Sequence, residues 1–284
     1  MKNMEEFQEE VQTEKSETYT AGKSKLSNML QKFYRFDIYL TMIVVLSMLA
    51  AINILSFGVM NTLPQLVIAV VVATATEALW DFYRTRTWKY SKSAIITGLF
   101  IGSLLDPSQV LYIPAVAALI AFLAKTFIRA KARHFFNPTM LSMFAVALLF
   151  KTSLGWWAAT NMYATIILGL FISVKFKRLS LTLPFLATAF VIILLLTQSL
   201  TSAENLIMSA PILYMVFFML VEPKTSPFSR RGRLIYGPIV AILLFVMGFV
   251  LAQVSGMFGI ALDTIAVTLL VGNVIAWVMN WKMI

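Results

Sequence analysis

Ser93-Ala-Ile-Ile-Thr-Gly-Leu99 and Phe136-Asn-Pro138 each open an apolar run, 93–105 and 139–150, that is too short to cross a bilayer. A spanning helix needs about 20 residues. Each run follows a basic cluster and carries helix-starting residues, serine in one case and Asn-Pro in the other. Irregular backbone survives at membrane depth only where protein buries it or a cavity is lined by it, so a broken helix usually marks a site. The two stretches predict a membrane protein with an internal site.

Composition sets the class. Of 284 residues, 60% are hydrophobic and only 13% charged, and the mean hydropathy is +0.83. A water-soluble chain of this length needs far more polar surface. Cysteine is absent, which excludes disulfides, thiolate catalysis and Cys-ligated iron–sulfur or zinc sites from these residues. With His134 as the single histidine, bis-histidine haem and multi-histidine metal sites go too. No metal site is expected, and redox chemistry would need an organic cofactor or a partner chain.

The first 20 residues hold six glutamates against Lys2 and Lys15, and Lys23, Lys25, Lys32 and Arg35 follow. Residues 1–33 read as an acidic, then basic, disordered cytoplasmic tail, with a polytopic membrane domain over 34–284. Residues 21–284 keep 21 basic against 7 acidic residues. Their positions at segment ends point to lipid headgroups and topology, with no nucleic-acid partner.

Apolar runs fall at 36–57, 63–82, 93–105, 110–128, 139–150, 156–174, 180–198, 204–221, 234–253 and 258–280. With the N-terminus inside, the inner loops collect Arg84, Arg86, Lys89, Lys92, Arg129, Lys131, Arg133, Lys175, Lys177, Lys224 and Arg230 among others, while the outer loops hold Lys151 alone. That asymmetry predicts an all-α integral membrane protein of about ten segments, two of them short and re-entrant or broken, with both termini cytoplasmic in the cell (inner or plasma) membrane. Ten segments divide into two fives, 34–152 and 153–284. An odd-numbered repeat inserts its second copy inverted, which places a site near the midplane. The segment count alone carries this expectation.

Ser93 is placed to cap the first short helix, with Thr97 and Gly98 one turn in, where a hydroxyl and a bare backbone can meet a ligand. Asn137-Pro138 supplies a cap and a proline at the first helical position. Two helix N-termini would then aim unpaired N–H groups at a carbonyl-rich or anionic ligand. The competing reading is that these caps only satisfy backbone in a dry bilayer.

Glu77 and Asp81 lie in the second segment, and intramembrane carboxylates suggest a proton or ion pathway. Glu77 is the deeper of the two, and Lys125 its candidate partner in a structural pair; Lys125 could instead snorkel to the interface. Asp263, near the outer end of the last segment, reads as solvated. Asn53 and Asn161 read as interhelical hydrogen bonds. Thr225 and Ser226, between Pro223 and Pro227, could cap a turn or contact phosphate.

Several motifs occur in order: Thr76-Glu-Ala-Leu79, Ser93-Ala-x-x-Thr97-Gly-Leu99, Pro107, Ala124-Lys125, Phe136-Asn-Pro138, Phe218-Met-Leu-Val-Glu222-Pro-Lys-Thr-Ser-Pro227, Gly232-Arg-Leu-Ile-Tyr-Gly237 and Asn273. Together they resemble those of the RnfD/NqrB family of membrane proteins. The resemblance implies a urea-transporter-like fold and a membrane subunit of an Rnf/Nqr-like electron transport complex. It further implies a bound flavin (FMN or riboflavin), redox partner subunits and coupled ion movement. It adds Thr225, Ser226 and Asn273 to Ser93, Thr97, Gly98 and Asn137 as cofactor-binding candidates, beside Glu77 and Lys125 on an ion pathway. Glu222 stands where the family has aspartate. The family's Ser-Gly-Ala-Thr attachment motif does not occur in this chain, so any flavin is expected to be non-covalent. The alternative is a stand-alone transporter or channel for a small polar solute, flavin included, on the same scaffold.

Overall fold

Each of the ten apolar runs contains helix among the described residues. The computed structural model describes residues 37–130, 133–258 and 262–281. The described residues from Tyr39 onward form one compact unit; the expected tail, 1–33, lies outside the described residues. In chain order the helices are α1 (Ile38–Phe57), α2 (Val59–Thr85), α3 (Lys92–Leu104), α4 (Tyr112–Phe127), α5 (Pro138–Phe150), α6 (Met162–Lys175), α7 (Leu179–Thr197), α8 (Leu200–Ile207), α9 (Ala210–Tyr214), α10 (Arg230–Phe258) and α11 (Thr264–Trp281). A hairpin of two-residue strands, β1 (Arg129–Ala130) and β2 (Arg133–His134), pairs antiparallel between α4 and α5. It is a small departure from the all-α expectation.

Five of these helices, α1, α2, α7, α10 and α11, are long and apolar enough to cross a membrane. A sixth span is made if α8 and the helix over Ala210–Met219 count as one, bent by 53°. The bend corrects the continuous segment expected over 204–221. Ser209 and Pro211 interrupt the helix there, because proline lacks the N–H that would continue it. The stretch Met215–Met219 then continues as a π-helix.

More helices are short than the two expected. Besides α3 and α5, α4 has 16 residues and α6 has 14. The sixth segment, expected from 156, begins at 162. Trp156 sits at a positive φ of 50°, Trp157–Ala159 make one 3-10 turn, and Asn161 caps α6 by accepting from the Ala164 amide at 3.0 Å. The Asn161 side chain is therefore a cap, while its backbone N–H makes the bond between segments. Asn53 does cross between segments: it donates to the Ala158 carbonyl and accepts from the Asn161 amide, at 2.9 and 2.8 Å.

Two correspondences link the halves. Thr62-Leu63-Pro64 and Thr182-Leu183-Pro184 occupy the fourth to sixth positions of α2 and α7. From each threonine the same register is buried, Thr62, Gln65, Ala69 and Ala73 in one helix and Thr182, Phe185, Ala189 and Ile193 in the other. An acid–proline pair also follows the next segment in each half, Asp106-Pro107 after α3 and Glu222-Pro223 after α9 and its π-helical extension. Both carboxylates accept locally, Asp106 from the Ser108 amide at 2.8 Å and Glu222 from the Thr225 hydroxyl at 3.2 Å.

Short helices leave carbonyls that hydrocarbon cannot satisfy, and the end of α3 meets this demand with the 154–157 loop. The Leu104 carbonyl accepts from the Gly155 and Trp156 amides at 2.8 and 3.3 Å. The Gly102 carbonyl accepts from the Trp157 indole at 2.8 Å and the Gln65 amide at 3.0 Å. The core around this junction includes fully buried Trp157, Tyr214 and Phe218.

Candidate functional site

Asn137 caps α5 as its Asn-Pro sequence predicts, its side chain accepting from the Met140 amide at 3.1 Å. The cap lies deep. The Asn137 backbone N–H donates to Asn273 Oδ1 at 2.7 Å. Asn273 is nine residues into α11, about 14 Å along a helix of about 27 Å at 1.5 Å per residue. The N-terminus of α5 therefore meets α11 near its midpoint.

The irregular stretch Glu222–Phe228 descends alongside. Asn273 Nδ2 donates to the Thr225 carbonyl at 3.4 Å. Two turns on, Asn280 accepts from the Phe228 amide at 3.1 Å and donates to the Ser226 carbonyl at 3.5 Å. Two asparagines seven residues apart share one face of α11, and that face supplies the partners the stretch lacks for want of helix. Asn137 Nδ2 closes the network by donating to Glu222 Oε2 at 2.8 Å, which also accepts from Thr225 Oγ1. Ser226 donates to the Glu222 carbonyl at 2.7 Å, a local turn bond.

A second polar pair adjoins the network. Lys125 Nζ lies 3.0 Å from Glu77 Oε2 and is buried, so it does not snorkel. Lys224 and Glu222 are both close enough to Lys125 to act on it electrostatically. His134, on β2, is buried with its Nδ1 unpartnered among the described groups. Burial, followed by the charges of Lys224, Lys125 and Arg129, pushes its pKa down to about 4. A ladder of rings flanks the network: Phe136 against Phe135 at 4.6 Å, Phe135 against Trp277 at 5.4 Å, and Trp277 against Trp281 at 5.4 Å.

The α3 candidates stand apart from this network. Ser91, not Ser93, caps α3, accepting from the Ala94 amide at 3.3 Å; the serine nearer the basic cluster takes the role, and Lys92 starts the helix. Thr97 returns its hydroxyl to the Ser93 carbonyl at 2.9 Å. Gly98 faces α2, where an added Cβ would come within 2.4 Å of the Val70 Cα; its bareness serves helix packing. Asp263 is not simply solvated. It caps α11, accepting from the Ala266 amide at 2.8 Å, and takes the Trp156 indole N–H at 3.2 Å.

Of the residues that the sequence nominates, Asn137, Thr225, Ser226 and Asn273 meet in one network, joined by Glu222, Asn280 and an aromatic ladder that the sequence does not nominate. The acid before Pro223 is the signal that could have found Glu222, since it sits at the end of an otherwise apolar segment. Among the described residues, no group of three or more His, Cys, Asp or Glu could hold a metal ion.

Residues 31–168, which include α1 to α5 and Asn137, match the NQR2, RnfD, RnfE family. Over that stretch the chain is similar to this family. The family's proteins are subunits of multi-subunit membrane complexes. The match ends before Glu222 and Asn273, so the α11 side of the network is known here from geometry alone. No curated protein matches the chain.

Proposed function

We propose that the chain is a membrane subunit of an Rnf/Nqr-type electron transport complex that holds a non-covalent flavin (FMN or riboflavin) at the Asn137–Glu222–Asn273 network. The observation that carries the reading is a polar network beside a ladder of aromatic rings, built on irregular backbone midway along α11. A flavin presents a flat ring with one edge of alternating carbonyls and N–H. Asparagine amides, a threonine hydroxyl and a carboxylate offer matching donors and acceptors, and Phe135, Phe136 and Trp277 offer apolar faces. The unpartnered His134 Nδ1 and the Tyr236 hydroxyl, which is near Asn273, are further polar groups without a full complement of bonds. The flavin supplies the electron chemistry; the chain binds, orients and excludes water. Lys125, paired with Glu77, and Lys224 set a positive field beside the site, and Glu77 with Lys125 are the groups through which a coupled ion would be sensed.

Ten membrane segments in two inverted fives fit the same reading. The recurring Thr-Leu-Pro and acid–proline positions favour the repeat, and a urea-transporter-like arrangement would put the repeat interface at this network. The basic loops orient both termini to the cytoplasm of the cell membrane.

The absence of Ser-Gly-Ala-Thr favours one second reading, a stand-alone transporter for a small polar solute. One experiment separates the two. The visible spectrum of detergent-purified protein is recorded, then that of the supernatant after acid precipitation. Flavin bands that move into the supernatant, and that are lost in monodisperse Asn137→Leu and Asn273→Leu protein, support the electron-transfer reading. Colourless protein that stays colourless after flavin addition moves the assignment to transport.

A further inference from the structure

Away from the network, α2 and α4 form a groove of about 360 Å3 lined by Thr76, Leu79, Trp80, Tyr83 and Phe122. That volume is in the range of small-ligand sites, about 300–1,000 Å3. Trp80 is its floor, held edge-on by Phe122 and Phe127 at 6.0 Å each and stacked with Tyr83 at 6.1 Å. Leu79, Tyr83 and Phe127 are 58%, 69% and 65% exposed, so the groove opens on the outside of the bundle.

One end of the groove is cationic. Glu77 and Arg84 are seven residues apart and share a face of α2. Arg84 directly follows Tyr83, which lines the groove, and Arg129 stands two residues after Phe127, whose ring packs on Trp80. Arg86, the C-cap of α2, is three residues beyond Tyr83. Among the described residues none of the three guanidinium groups makes a salt bridge or a side-chain hydrogen bond, and all three are exposed. Asp81 is the one carboxylate on α2 near them.

We propose that this groove binds one anionic phospholipid, an acyl chain lying on Trp80 between Tyr83 and Phe122 and the phosphate meeting Arg84, Arg86 and Arg129. Scattered aromatic and basic residues are ordinary at a membrane interface. An aromatic groove with three unpaired arginines next to its lining and packing residues offers partners for both ends of one such molecule. Arginine's planar fork suits phosphate oxygens. The cationic end favours a phospholipid over an apolar helix of a partner, which would leave the guanidiniums without counter-charge.

The test uses the full chain, in whatever assembly it is purified, from membranes of mixed phosphatidylglycerol and phosphatidylethanolamine. Retained lipid is quantified by mass spectrometry after extended detergent washing. Wild type should retain phosphatidylglycerol in excess of its membrane share, and the excess should fall about fivefold for each guanidinium removed in Arg84→Gln and Arg129→Gln. Arg230→Gln with Arg231→Gln removes like charge far from the groove and should leave the excess intact. An unchanged excess in the first pair, or an equal loss in the second, overturns the proposal. A photo-crosslinking residue at Leu79 decides the occupant. A phospholipid adduct supports the assignment, and a polypeptide adduct overturns it by placing a partner helix there.

Discussion

The backbone N–H of Asn137 donates to Asn273 Oδ1 at 2.7 Å, joining the first turn of a short helix to the midpoint of the last one. Asn137 and Asn273 are both buried, so no water can replace the lost acceptor. Asn273→Leu should therefore cost about 1–3 kcal/mol, the penalty for an unsatisfied buried amide. Asn161→Ala removes a helix cap at an exposed position and should cost about 1 kcal/mol. Thermal unfolding in detergent would rank the two; equal effects would mean that the α5 terminus is wetter than the geometry indicates.

Gly98 and Gly102 set the spacing of α2 and α3. An added Cβ would stand 2.4 Å from the Val70 Cα in the first case and 2.6 Å from the Leu66 Cα in the second. Backbone cannot swing aside, so Gly98→Ala should destabilise by about 1–3 kcal/mol through overpacking. At Gly248 the same methyl would meet only the Thr264 Cγ2 at 3.7 Å. Gly248→Ala should be neutral or stabilise by up to about 1 kcal/mol, since alanine is the better helix former. Unfolding temperatures of both variants check the contrast. If Gly98→Ala also loses flavin, the α3 candidates regain a place near the ligand.

The helices are legible in the sequence because apolar runs and charged loops are local signals. Asn137-Pro138 is legible for the same reason: cap and proline lie side by side in the chain. What binds Asn137 is not, because Glu222 and Asn273 are 85 and 136 residues away and only the packing of α5 on α11 brings them in. The cap of α3 falls two residues before Ser93, since Ser91 offers an equal cap and only the hydrogen bond chooses between them. Gly98 reads from sequence as a place for a ligand or for a helix; the nearness of Val70 assigns it to the helix. The break at Ser209 and Pro211 is visible as letters, but apolar composition on both sides conceals it.

Glu77 and Lys125 form a pair 3.0 Å apart that ties α2 to α4. Removing either partner strands the other, so Glu77→Gln or Lys125→Met alone should destabilise by about 3 kcal/mol. The double variant should recover most of that loss, because no buried charge remains. Stability measured through the four-member cycle tests the anchoring role. If the double variant is stable yet lacks ion-coupled activity in the assembled complex, the pair serves transport as well as packing.

His134 carries a pH dependence with a defined sign. Its pKa is held down to about 4, first by burial and then by Lys224, Lys125 and Arg129, against one backbone hydrogen bond at Lys125 that pulls it up. The native protein therefore keeps the ring neutral, while the unfolded chain takes a proton near the ordinary value of about 6.5. Below that value the unfolded state binds more protons, so stability falls as pH drops from about 6.5 towards 4 and then levels off in this contribution. His134→Gln cannot titrate and should flatten that part of the profile. Melting temperatures of wild type and His134→Gln between pH 4 and pH 7 provide the comparison. Parallel curves would place the imidazole in contact with water and free of the field of Lys224 and Lys125.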